Sequence, residues 1–535
     1  MAAGLTDDPP GRPSTTAAGP AHPLLDSARL RVVLLALAVG LLLLVGLSRP
    51  DAAQPDLMPR GWAPGTLLPV ALSPAGVTGV LWAAYVLGGL GVGLGLRQRP
   101  EALRSWRLPV GLGVLALLTA PFGSADHVNY LAYGRILVRG GDPWVVSPSA
   151  WAGGADPVVS RVEAPWTEEP SVYGPLGTML HGLSAALGGD VLRQGVWVWQ
   201  VIVVVAWLAV RALLRATLGR QGRGRVDVVW TLNPLVLGVG VLGAHIDVVA
   251  AALAVAAVAA ASRWAGMPGS FLAGVLAGLA LTTKVTYGVV LVAILAATWW
   301  TGRAARPRGV RRWPPGGRWV ALLAGTVVAV APLHLWAGEH VFDQLERSRK
   351  AVSLATPWRL VLEAVAPVLG GDTTRTLIGI GAALLALVLA VALLRASRPS
   401  GRDHDQVGPD HVIAPAVGEV ALWLTACLAL AYSLAAAYSL PWYDVLVWAA
   451  LPAVAPGMVD LVALTRLTIM AVAYVPGRVI GMTPAVEAVT LGVRRHVAPW
   501  LVLGLWAVVI AIGARRGSPR SPAPPRAAPP PTATR

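Results

Sequence analysis

Charge is what this 535-residue sequence has least of: Asp, Glu, Lys and Arg together make up 13% of it. A water-soluble chain of this length needs far more polar side chain to cover its surface, and a mean hydropathy of +0.63 excludes one. There is a single cysteine, Cys427, so no disulfide can close within the chain; it sits in an apolar run as a small core residue. Lysine is almost missing, with only Lys284 and Lys350 among 43 basic residues. The sequence has no Walker loop, no dinucleotide glycine pattern and no Cys/His metal spacing, so motifs point to no cofactor and leave a divalent metal open.

What is abundant is apolar side chain, 55% of the residues, gathered in blocks. Blocks such as 32–47, 320–335, 377–394 and 500–512 approach the length with which a helix crosses ~30 Å of hydrocarbon. The net charge of +16 would suit a nucleic-acid partner if it were spread over one surface. Instead the arginines cluster in short connectors between apolar blocks, the pattern of positive-inside topology, and no nucleic-acid partner is expected. The sequence therefore predicts an all-α polytopic membrane protein with about thirteen or fourteen transmembrane helices. Residues 1–29, rich in Pro, Ala and Thr, lack the order of a signal peptide and read as a disordered cytoplasmic tail. Residues 30–514 form the membrane domain, and 515–535 a disordered, basic, Pro-rich tail.

Placing the arginines of 97–107, 211–225, 303–318 and 395–402 in the cytoplasm puts the connector 124–173 outside. That connector has six acidic residues against three arginines. For the cluster after Arg211 to stay inside, 175–187 must be an interfacial or re-entrant helix rather than a crossing. The unusual polar residues then share the outer ends of the helices: Asp126, His245, Asp247, Lys284, Tyr443 and Asp444.

Each has a bland use and a chemical one. Lys284, between two apolar helices, either snorkels to the interface or serves an anionic partner such as a phosphate. Asp126 either caps a helix over 128–137 or, starting the longest outer loop, takes a proton from a hydroxyl nucleophile. His245 and Asp247 are a solvated polar pair at a turn or part of a site; two ligands with no third are a weak metal signature. Glu168 and Glu169 read as solvated. The Tyr173–Gly174–Pro175 turn starts the interfacial helix. Trp442 and Tyr443 suit either an interface belt or sugar stacking.

In order, the runs SADHVNYLAYGRILVRGGDPWVVSP, SVYGPLG, LNPLVLGVGVLGAHIDVV, GLALTTKVTYGVVL and YSLPWYDVLVWAALP resemble the actinobacterial polyprenol-phosphomannose-dependent α-1,6-mannosyltransferases, membrane glycosyltransferases of the GT-C class. The resemblance implies a GT-C-like fold whose long first extracytoplasmic loop carries interfacial helices. It also implies a multi-pass protein of the plasma membrane with an outward-facing site. An inverting transfer of mannose from polyprenyl-phosphate-mannose to a mannan or lipoglycan acceptor would follow, with the donor dissolved among membrane lipids. Asp126 matches the general base; Lys284, with Arg135, would hold the donor phosphate; His245, Asp247, Tyr173, Trp442 and Tyr443 would shape the substrate site. The chain departs from the family's His-Asn-Asp at 245–247 and from its Asn-Pro-Tyr at 142–144. A transporter or lipid-linked sugar flippase, or a GT-C relative without catalysis, are the competing readings.

Overall fold

The computed structural model describes residues 23–98, 101–264, 266–304, 316–343, 346, 350–400 and 416–517. Within them the backbone is helical and turn-like, with no strand. The cause is the composition: in hydrocarbon each backbone N–H must find its partner within its own segment, and a helix achieves this.

Among the described residues, eight helices are long and apolar enough to cross a membrane: Ser27–Leu47, Pro74–Arg97, Leu192–Thr217, Val285–Gly302, Gly316–Ala337, Gly371–Ala396, Val417–Ala435 and Pro484–Arg515. A ninth exists if Gly219–Thr231 and Pro234–Leu242, bent by 45°, count as one span. The bend falls at Asn233–Pro234, where the Asn233 side chain accepts from Leu235 N at 3.0 Å and a new helical start is capped. The remaining apolar blocks are helical but shorter: Arg107–Leu118, Asp247–Arg263, Met267–Thr283, Val445–Ala450 and Met458–Tyr474. The higher number read from sequence counts these blocks too. Three of them, at 17 residues, are at the lower limit of a crossing, while Arg107–Leu118 and Val445–Ala450 are too short to span alone. The chain is a polytopic α-helical membrane protein.

Asp247–Arg263 is the hub of the bundle. Its run of alanines lets Leu192–Thr217, Met267–Thr283, Val417–Ala435 and Val445–Ala450 pack closely around it. Trp199, Trp207, Trp230 and Trp448 fill the core beside it.

The connector 124–173 opens with the helix Asp126–Val138 and leads to Pro175–Gly188. The second helix has 14 residues. It is therefore about 21 Å long, too short to cross the bilayer. The two helices lie backbone to backbone: a Cβ on Gly134 would sit 2.2 Å from the His181 carbonyl oxygen, so only glycine fits there. Between them, Trp144 is buried with its indole N–H donating to the Tyr173 carbonyl at 2.8 Å and its ring edge-on to Trp336. Asp142 caps this turn by accepting from Trp144 N at 2.9 Å.

The connector arginines do more than report topology. At the far end of Leu192–Thr217, Asp227 is paired with Arg211 at 2.9 Å and Arg215 at 2.5 Å. Arg225 meets Asp460 at 2.5 Å, tying the first half of the chain to the second. The expected N-terminal tail is shortened by a helix that starts at Pro23, and the last helix runs to Gly517. The rest of both tails lies outside the described residues.

Candidate active site

Four segments distant in sequence meet at the end of the bundle that carries the 124–173 connector. The first is the start of the Asp126–Val138 helix. Asp126 does not cap it: Ala125 occupies the cap position without a side-chain bond, and Ser124 Oγ accepts from the Asp126 N–H at 3.3 Å. The carboxylate instead turns inward, and Asp126 is only 9% exposed. Asp126 lies in the connector rather than in a spanning helix. Burial there pushes its pKa up to about 7, with Lys284 opposing the shift and Asp247 adding to it.

The second segment is the turn Gly243–Asp247, between the bent ninth span and the hub helix. His245 and Asp247 are each 1% exposed, so the solvated reading of this pair does not hold. His245 Nδ1 faces Asp126 Oδ2 at 3.5 Å and the Tyr130 hydroxyl at 3.4 Å, while Nε2 faces Ser124 Oγ at 3.3 Å. Burial holds the imidazole well below the usual histidine range, with Lys284 and His127 pushing the same way. It is therefore neutral, and its approach to Asp126 is a dipolar contact rather than an ion pair. The tautomer with its proton on Nδ1 serves both sides, donating toward Asp126 and accepting from Ser124.

The turn is strained. Ala244 has φ +52°, the left-handed region that residues with a Cβ avoid, and its carbonyl is held by the Trp199 indole N–H at 2.7 Å. Ala244→Val is expected to lower stability by about 2 kcal/mol, seen as earlier thermal unfolding in detergent. Ala244→Gly, which adopts that backbone readily, should not show the loss. Ile246 lies against Gly177 of the Pro175–Gly188 helix.

The third segment is Lys284, at the end of Met267–Thr283. It does not snorkel. Its Nζ donates to both Asp247 oxygens, at 2.7 and 2.9 Å, and Tyr287 OH donates to the same carboxylate at 3.2 Å. The fourth is the turn Pro441–Asp444. Trp442 stacks on His245 with centroids 3.7 Å apart, and the Tyr443 ring lies 4.0 Å from Lys284 Nζ. Tyr173 joins through Tyr130, edge to face at 4.9 Å, and Tyr130 in turn stacks flat on His181 at 4.6 Å.

Seven of the eight residues singled out from sequence are thus joined by contacts. Arg135 is the exception: it pairs with Asp156 at 3.0 Å and with Asp190, and donates to the Gly189 carbonyl. All of these partners belong to the connector and the turn after Pro175–Gly188. Ser124, Tyr130, His181 and Tyr287 were missed. Tyr130 lies in the same run as Asp126 one helical turn on, and that spacing is the signal that could have found it. Among the described residues no group of three His, Cys, Asp or Glu side chains could hold a metal ion.

Chemically, the cluster offers a carboxylate poised near neutrality, a neutral imidazole, a partly buried ammonium and two aromatic faces around one spot. A small hollow lined by Leu81, Tyr85, Val239 and Tyr474 reaches His245 and Trp442.

Residues 28–301 match the family described as "Alpha-(1->6)-mannopyranosyltransferase, N-terminal domain". A probable alpha-(1->6)-mannopyranosyltransferase of Mycolicibacterium smegmatis is 30% identical over 151 residues, 28% of this chain and 26% of the relative. Alpha-(1->6)-mannopyranosyltransferase A of Mycobacterium tuberculosis is 27% identical over 180 residues, 33% of each chain. Alpha-(1->6)-mannopyranosyltransferase B of Corynebacterium glutamicum is 26% identical over 170 residues, 30% of this chain and 28% of the relative. These alignments span a third or less of the relatives' lengths. No solved structure matches the chain. The transporter reading gains nothing from these matches. The family match takes in Asp126, His245, Asp247 and Lys284, and the chain belongs to the alpha-(1->6)-mannopyranosyltransferase family.

Proposed function

We propose that this protein is an inverting mannosyltransferase of the plasma membrane. It takes mannose from polyprenyl-phosphate-mannose and adds it in α-1,6 linkage to a mannan or lipoglycan at the outer face. The observation that carries this reading is the Asp126–His245–Asp247–Lys284 cluster: a buried carboxylate and a partly buried ammonium linked by one short turn.

In this reading the acceptor hydroxyl oxygen attacks the anomeric carbon of the donor. The hydroxyl proton passes to Asp126, which must be ionised to receive it. The bond from the anomeric carbon to the phosphate oxygen breaks on the opposite side, and polyprenyl phosphate leaves with the electron pair. Lys284 faces that leaving charge. Two of its N–H groups are engaged by Asp247, which fixes the ammonium and leaves the third for a phosphate oxygen. Arg135 already has two carboxylate partners, so the phosphate role falls to Lys284. His245 orients Asp126, and Trp442 and Tyr443 offer flat faces to the sugars.

The test is the full-length protein in nanodiscs with polyprenyl-phosphate-[14C]mannose and a short α-1,6-mannoside. Extension by one α-linked mannose is expected. Labelled lipid that crosses the bilayer of sealed vesicles without a new glycosidic bond would point to a flippase. No transfer from this donor would end the transferase reading.

A further inference from the structure

Behind the cluster lies an ion pair that the proposed chemistry leaves unused. Asp444 and Arg466 are each 1% exposed and bonded to one another, Asp444 at the end of the Pro441–Asp444 turn and Arg466 in the Met458–Tyr474 helix. Arg466 also donates to the Ser433 carbonyl at 2.8 Å and to Ser439 Oγ at 2.7 Å. Ser433 ends the Val417–Ala435 helix region and its hydroxyl reaches the Tyr443 carbonyl at 3.4 Å. Ser439 is fastened from the other side by Ser353, whose hydroxyl accepts from Ser439 N and donates to its carbonyl, both at 3.0 Å.

Burying two opposite charges is costly, and well-packed apolar side chains generally replace such a pair with no loss of stability. What an apolar pair lacks is direction. The guanidinium is a planar fork. Here one arm, Nη2, donates to the Ser433 carbonyl and the Ser439 hydroxyl while the other, Nη1, meets the Asp444 carboxylate, so one side chain holds both ends of the stretch 433–444. The two residues immediately before Asp444 are Trp442 and Tyr443, which stack on His245 and lie against Lys284.

We propose that Asp444 and Arg466 are positioning residues. Their pair clamps the Pro441–Asp444 turn between two helices and so fixes Trp442 and Tyr443 against the reacting groups. Neither touches substrate. The proposal rests on the transferase reading, but the clamp itself can be observed without it.

The experiment uses the full-length protein in nanodiscs, with Asp444→Leu/Arg466→Met as the main variant and Arg466→Lys as the conservative one. The expected result is a double variant with a thermal midpoint near that of the parent, kcat lowered at least tenfold, and KM for polyprenyl-phosphate-mannose within about twofold. Arg466→Lys keeps the charge and loses the fork, so it should fall in between.

A second arm needs no activity. With Cys427→Ala and Tyr443→Cys in place, labelling by a bulky maleimide should speed up at least tenfold when the pair is replaced. Parent-like kcat and parent-like labelling in the folded double variant would overturn the clamp. A double variant that fails to fold would also overturn it, since the pair would then support the fold rather than the turn. If the parent transfers no mannose yet labelling speeds up as expected, the transferase reading falls and the clamp stands.

Discussion

Asp126→Asn is expected to reduce mannosyl transfer by about a thousandfold, within the range that a positioned general base contributes. The amide matches the carboxylate in shape and sits in a pocket that is 91% shielded from solvent, since Asp126 is 9% exposed, so the fold should be kept. The measurement is transfer by the purified variant beside its thermal unfolding curve. Wild-type rates in a stably folded variant would remove Asp126 from the chemistry. The pH profile is a second check. Burial raises the folded pKa to about 7, and the base acts ionised, so kcat/KM should level off above that pH. Below it, kcat/KM should fall tenfold for each pH unit. The residual rate of Asp126→Asn should not follow that profile.

Lys284→Met is expected to be the more damaging change to the protein itself. It strands the Asp247 carboxylate, 1% exposed, with only Tyr287 as side-chain partner. Breaking a buried pair by removing one member costs on the order of 3–5 kcal/mol, enough for a large drop in thermal midpoint. Removing both charges should reverse this: Lys284→Met/Asp247→Leu is expected to recover most of the stability while transfer stays lost. That split separates the role of Lys284 in the fold from its proposed role toward the leaving phosphate. Recovery of transfer along with stability would show that the ammonium serves the fold alone.

The sequence made the cost of these groups readable but not their partners. Lys284 stood out because an ammonium beside hydrocarbon must be compensated, yet snorkelling and pairing satisfy that demand equally until Asp247 is seen 2.7 Å away. Arg466 and Asp444 carried a similar signal, one arginine within an apolar run and one acid after two aromatics, but a pair formed across 22 residues and a reversal of the chain leaves no periodicity to detect. Arg135 misled for the opposite reason. Its position in the Asp126 run suggested the site, and helical geometry carried it to the other end of that helix, toward Asp156 and Asp190. That Pro175–Gly188 forms a helix too short to cross was legible, because its apolar run is only 14 residues long. The strain at Ala244 was not legible, since nothing about an alanine announces a left-handed backbone.

The family match ends at residue 301, while Trp442 and Tyr443, the two faces against His245 and Lys284, come from beyond it. Arg225–Asp460 joins the same two halves at the opposite end of the bundle. Each half is made of helices whose backbone bonds are internal to it. A detergent or a mild heat step that parts the halves would therefore silence the protein while leaving its circular dichroism almost intact. For storage and assay, helical content is the wrong clock, and the contact between the halves is the one to follow.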